Sequence, residues 1–106
     1  MVNDMQKWAD FLISAVRYEE LSNRFQITHF KVHSDEGIKV SGGVTWTREE
    51  VIAAMSVGKT FITIFKDTKG DWQKGREVFL KRENGAYIIT DDNKEVTDVL
   101  KDVQEF

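Results

Sequence analysis

The sequence predicts a single α+β domain with the order α-ββ-α-βββ-α, an antiparallel-dominated sheet packed with helices. Three observations carry that expectation. Asn84-Gly85 stands between two alternating apolar runs, the strongest short-range hairpin signal in the chain. Thr47 and Glu50 have the T-x-x-E spacing of a capping box, and Gly58 stands where the helix they open would stop. Near both ends of the chain, apolar residues recur at three- and four-residue spacing, the mark of amphipathic helices.

Taken in order, residues 4–21 read as the first helix. Met5, Trp8, Ala9, Leu12, Ala15 and Val16 form its stripe, Asn3 with Gln6 caps its start, and Ser22-Asn23 stops it. Phe11, Ile13 and Tyr18 widen the stripe beyond one narrow face, so this helix packs deep or meets a partner chain. Phe25 to His33 reads as a strand whose apolar parity switches near Thr28-His29, which calls for a bulge or for burial on both faces. Ser34-Asp35-Glu36-Gly37 is turn chemistry. Ile38, Val40, Val44 and Trp46 then keep one parity across Gly42-Gly43 up to the Thr47 cap.

The helix over 47–57 has Glu49 and Glu50 in its first turn, where the dipole favours negative charge, and Val51, Ile52 and Met55 as its apolar stripe. In the strand over 59–66, Phe61, Ile62, Ile64 and Phe65 fill both parities, which places it inside a sheet. Asp67 to Gly75 is a polar connector with an exposed Trp72. Arg76 to Arg82 and Ala86 to Thr90 pair around the Asn84-Gly85 turn. That register sets Glu83 against Ala86, Arg82 against Tyr87, Leu80 against Ile89 and Phe79 against Thr90. Asp91-Asp92-Asn93 breaks the strand, and Val96, Val99, Leu100 and Val103 make the last helix.

The chain has 106 residues and a formal charge of −3. Its first 22 residues carry two basic against four acidic groups, residues 23–83 eleven against eight, and the remainder two against six. The middle is mildly basic between acidic ends. With no cysteine, disulfides, thiolate metal sites and cysteine nucleophiles are excluded. No apolar run approaches the roughly 20 residues that span a bilayer, and the N-terminus lacks a basic start and an apolar signal segment, so the expected compartment is the cytoplasm.

Motif by motif, the chemistry is thin. Gly58-Lys59-Thr60 imitates the end of a phosphate-binding loop, but Ala53 stands where a glycine is needed and the order is helix to strand. His29 and His33 share one face of a strand about 13 Å apart at ~3.3 Å per residue, too far for one metal, and read as surface or edge groups. Glu19-Glu20, Asp35-Glu36, Glu49-Glu50 and Asp91-Asp92 are adjacent pairs that diverge on any regular element. Asp91 to Glu95 lacks the alternating ligand spacing of a calcium loop. Ser41 has no nucleophile elbow around it.

The pattern resembles a family of small bacterial and phage proteins classified only as a domain of unknown function. The similarity lies in Ile27-Thr28-His29-Phe30, Gly37, Thr47-Arg48-Glu49-Glu50-Val51-Ile52 with Met55 and Gly58, Phe61, and Tyr87-Ile88-Ile89-Thr90. It covers residues 25–100 and leaves out the N-terminal stretch. Where the family closes on an Asn-Leu and Leu-Pro pattern, this chain runs from Val99-Leu100 into Lys101 to Phe106 without proline. The resemblance implies a fold and transfers no catalytic residue, cofactor or metal.

The expected function is therefore binding: a non-enzymatic module acting through a protein partner or self-association. The anticipated interaction surface is Phe79 and Ile88, turned outward by the hairpin register, with Phe11 and Tyr18 from the first helix. The second reading is a weak nucleic-acid-binding accessory or regulatory protein. Lys66, Lys69, Lys74, Arg76, Lys81 and Arg82 surround Trp72, cations for phosphate and a ring for an unpaired base, although Asp67, Asp71 and Glu77 interleave with them.

Overall fold

In the computed structural model, which describes residues 8–21, 24–36, 40–83, 85–91, 98–101 and 103–106, β1 (Phe11–Leu21) and β2 (Arg24–Ser34) form a long antiparallel hairpin. β3 (Val44–Thr47) pairs with the other side of β2 and leads straight into α1 (Arg48–Ser56). β4 (Phe61–Lys66) lies parallel to β1, and β5 (Trp72–Glu77) folds back antiparallel on β4. β6 (Phe79–Glu83) and β7 (Ala86–Thr90) make a separate two-stranded sheet. The short β8 (Gln104–Glu105) pairs parallel with β1. The main sheet is thus six-stranded and mixed, in the order β3-β2-β1-β4-β5, with β8 on the stretch of β1 beyond β4.

The architecture is mostly β, and the expected order α-ββ-α-βββ-α is overturned at both ends. Residues 11–21 are the central strand, not the body of a helix over 4–21. A bulge explains the misreading. Ser14 is the extra residue where the pairing passes from Ile13↔Val32 to Ala15↔Lys31. It shifts parity, so that Phe11 and Ile13 before it share the main core with Val16 and Tyr18 after it. Period two broken by one bulge approximates helical spacing over a single turn or two. At the other end, Val99 bridges Thr90 in parallel and Leu100 is buried. The backbone N–H groups of Val99 and Lys101 donate to the Ile89 carbonyl and the Asp91 carboxylate instead of to a helix ladder. The caps and turns read at Asn3, Met5, Gln6, Ser22-Asn23, Gly37-Ile38, Asn84, Asp92-Asn93, Glu95 and Val96 lie outside the described residues.

Several local expectations hold. The capping box at Thr47 is complete: Glu50 N–H donates to Thr47 Oγ1 at 3.2 Å, and Thr47 N–H donates to Glu50 Oε1 at 2.7 Å. Gly58 takes φ +94° after the helix. The parity switch in β2 is a bulge at Thr28, between the pairs Arg17↔His29 and Tyr18↔Ile27, and it keeps Ile27 and Phe30 in one core. β4 is buried over Phe61–Ile64 and has a neighbour on each side, although Phe65, read as part of the same buried run, is exposed. The β6–β7 pairs are those the Asn84-Gly85 turn dictates. Arg76 and Glu77, however, belong to β5, and Trp72 opens that strand where a connector was expected.

The core occupies one face of the main sheet. Ile13, Val16, Ile27, Phe30, Val32 and Phe61 meet Val51 of α1, Val78, Ile89 of β7 and Leu100 there. The opposite face carries a smaller cluster, Ala9, Leu12, Ile62 and Ile64, with Val40 and Trp72 against it. One buried ion pair ties the layers. Asp98 faces Arg48, the first residue of α1; the two side chains are 3% and 9% exposed. Asp98 also accepts the backbone N–H of Ile27 and of Ile89, each at 2.9 Å. Arg48 donates in turn to the carbonyls of Ile27 at 3.1 Å and Tyr87 at 2.7 Å.

Truncating one member leaves an uncompensated buried charge and two unpaired amides. Asp98→Ala should cost about 3–5 kcal/mol in chemical denaturation. A loss below about 1 kcal/mol would show that the pair does not hold the two sheets together. Thr47→Ala should cost about 1 kcal/mol by the same measurement, the usual worth of a cap.

Candidate functional site

Among the described residues, apolar side chains do not fill the second face of the main sheet. Beyond Leu12 and Ile64 it opens into a cleft of about 550 Å³ lined by Ser14, Lys31, His33, Gly43, Ile64, Phe65, Lys66, Trp72 and Gln104. The register brings these groups together. His33 pairs with Leu12 and Lys31 with Ala15 across β1–β2, so both project to the face opposite Phe30 and Val32. Lys66 pairs with Trp72 at the turn end of β4–β5. The extra residue at the bulge, Ser14, points its hydroxyl at the His33 ring.

His33 is the fixed point of the cleft wall. It is 6% exposed, and so is Ser14. Its Nδ1 lies 2.8 Å from the Ser41 carbonyl oxygen and its Nε2 lies 2.7 Å from Ser14 Oγ. A carbonyl only accepts, so this network assigns the proton to Nδ1 and leaves Nε2 to accept from the serine. Trp72 meets the imidazole edge-on, with centroids 5.5 Å apart. Gly43 completes the wall. A Cβ there would come within 2.9 Å of both the Lys31 and His33 side chains, so only glycine lets the chain pass this close. Lys66 Nζ sits 4.9 Å from the Trp72 ring centroid, a cation over a π face.

His33 is thus a buried, doubly hydrogen-bonded group and not the surface or edge histidine the sequence suggested. His29 lies apart from it. Its Nδ1 is 2.9 Å from Thr28 Oγ1, and it lines a shallower hollow of about 330 Å³ with Glu19, Gln26 and Glu49. Among the described residues, no group of three or more acidic or histidine side chains is placed to hold a metal ion.

The basic residues around Trp72 are divided by the fold. Lys66 and Trp72 belong to the cleft, Lys69 to the β4–β5 turn, and Lys74 and Arg76 lie exposed on β5. Lys81 and Arg82 are on β6, in the other sheet, where the Arg82 guanidinium lies 5.0 Å over the Tyr87 ring. The turn itself is tightly built. Asp67 accepts the N–H of Lys69 and Asp71 and the Gln73 side-chain amide, and these bonds hold its carboxyl below the usual value, the Asp71 amide foremost.

The residues read as an interaction surface are buried or half-buried. Phe11 stacks in an aromatic cluster with Trp46 and Phe61, at centroid distances of 4.8 and 5.2 Å. Ile88 is buried, and Phe79 and Tyr18 are half-buried. Tyr18 Oη accepts the Leu100 N–H at 3.2 Å.

The sequence singles out neither Ser14 nor Lys31, and its spacing sets His33 aside as a surface or edge group. The alternation Phe30-Lys31-Val32-His33 does put Lys31 and His33 on one face, but the partner that makes that face concave, β4–β5, is distant in the chain. Comparison with family models, with curated proteins and with solved structures finds no match.

Two measurements check this description. His33→Phe keeps a ring against Trp72 but strands the buried Ser14 hydroxyl, and should cost about 1–3 kcal/mol in urea denaturation. For Tyr18, burial raises the phenol above its ordinary 10.0, opposed by the Leu100 amide. The folded chain then holds that proton more tightly than the unfolded one. The resulting stability is intact below about pH 10 and lost as pH rises through the folded value. Tyr18→Phe should flatten the decline of stability with pH in that range.

Proposed function

We propose that this chain is a binding module and that its site is the cleft beside Trp72, suited to an anionic ligand with a flat or apolar part. The observation that carries this reading is the charge of the lining. In a chain of net charge −3, the cleft residues include Lys31 and Lys66 and, among the described residues, no aspartate or glutamate. Trp72, Phe65 and Ile64 supply apolar walls, and Gln104 with the Ser14–His33 pair supplies a few fixed polar groups. A concave, partly apolar site with a small number of placed polar groups is the usual form of a ligand pocket.

The phosphate-plus-base chemistry of the nucleic-acid reading fits the same site in part. Lys66 and Trp72 are in it, and Lys69 and Lys74 lie on the neighbouring turn and strand. Arg82 and Lys81 are on the other sheet, which favours a short ligand over a long tracked strand. A protein partner or a second copy of the chain has less behind it, because Ile88 is buried and Phe11 and Tyr18 pack against the core within one chain.

The test is titration at low salt with inorganic phosphate, adenosine monophosphate and a short oligothymidylate, followed by calorimetry and amide chemical shifts. The nucleotide should bind more tightly than phosphate, with shifts centred on the cleft. Each of Lys31→Glu and Lys66→Glu should weaken it by about tenfold or more, the worth of a charge-assisted hydrogen bond. No shift in cleft residues at millimolar ligand overturns the reading. An oligothymidylate that binds far more tightly, with a steep salt dependence, would make the nucleic-acid reading the better one.

A further inference from the structure

We propose that Ser14 is a nucleophile that accepts an acyl group from activated esters, with His33 as its base. This goes beyond ligand binding and stands whether or not the cleft holds an anion. The geometry is that of nucleophile, base and orienting group in series. Ser14 Oγ is 2.7 Å from His33 Nε2, and His33 Nδ1 is 2.8 Å from the Ser41 carbonyl. The carbonyl fixes the tautomer, so the lone pair of Nε2 faces the serine hydroxyl, as general-base activation requires. The same carbonyl keeps its hydrogen bond when the ring becomes imidazolium, which favours the charged state formed during attack.

Three features set this pair apart from a buried polar contact that only satisfies itself. Ser14 is the inserted residue of a β-bulge, a device that re-aims one side chain out of the regular pleat. The pair stands in the wall of a cleft of about 550 Å³, where a small carbonyl compound has room to approach. Lys31 and Lys66 line that cleft without an opposing carboxylate among the described lining residues, so negative charge developing on a carbonyl oxygen there is favoured electrostatically.

The step balances as follows. Oγ of Ser14 bonds to the acyl carbon as its proton passes to His33 Nε2. The bond from that carbon to the leaving alkoxide or phenoxide then breaks. The leaving oxygen takes the proton from Nε2 or departs as the anion, in which case Nε2 releases the proton to water. The products are acyl-Ser14 and the free alcohol or phenol. No electron transfer and no co-reactant is involved.

The experiment uses p-nitrophenyl acetate on the full chain. Phenolate release is followed optically, and the acetylated residue is located by peptide mass mapping. The expected result is release of one phenolate per chain in a first phase, with acetyl on Ser14. Ser14→Ala should abolish that phase, and His33→Gln should slow it by about 100-fold or more. Urea denaturation of each variant checks that it is folded. Acetylation confined to lysines or to other hydroxyls, with Ser14 unmodified in the folded parent, overturns the proposal. So does a folded His33→Gln chain that acylates Ser14 as fast as the parent.

Discussion

The ion pair between Arg48 and Asp98 is the constraint on which the arrangement of layers depends. Four segments with little sequence proximity meet at it: β2 through Ile27, α1 through Arg48 itself, β7 through Tyr87 and Ile89, and the C-terminal segment through Asp98. A cation in the first turn of a helix is opposed by the helix dipole. Arg48 is tolerated there because a buried carboxylate neutralises it and two carbonyls accept further hydrogen bonds from its Nη atoms. Such a pair need not stabilise the fold more than an apolar cluster of equal volume would. Its particular contribution is geometric. It admits one placement of the small β6–β7 sheet over the main sheet, because the amides of Ile27 and Ile89 must both reach the same carboxylate.

With that face of the sheet closed, the described residues cover the other thinly, and the cleft follows from this asymmetry. The main core takes α1, the β6–β7 hairpin and the C-terminal segment, all packed against Ile13, Val16, Ile27, Phe30 and Phe61. Among the described residues, the opposite face has Ala9, Leu12, Ile62 and Ile64 with Val40 and Trp72 against them, and then polar groups. A buried polar group needs partners, and here they come from irregular backbone. The bulge supplies Ser14 to one ring nitrogen of His33, and the loop before β3, brought close at Gly43, supplies the Ser41 carbonyl to the other.

What the sequence alone determined is everything governed by contacts within a few residues. The capping box of Thr47 and Glu50, the glycine stop at Gly58, the parity switch near Thr28, the apolar run that becomes β4 and the pairing of β6 with β7 all follow from short-range spacing and turn chemistry. Tertiary structure decided the rest. Leu12, Ala15 and Val16 satisfy a helical stripe as well as a bulged strand, and only the edges offered by β2, β4 and β8 select the strand. The last segment likewise has helical spacing, yet its amides find better acceptors on β7 and Asp91 than in its own turns. The cleft was illegible for the same physical reason. Its lysines, histidine, serine and tryptophan come from β1, β2 and the β4–β5 hairpin, and the hydrogen bonds and cross-strand pairs that bring them together act through space between residues far apart in the chain.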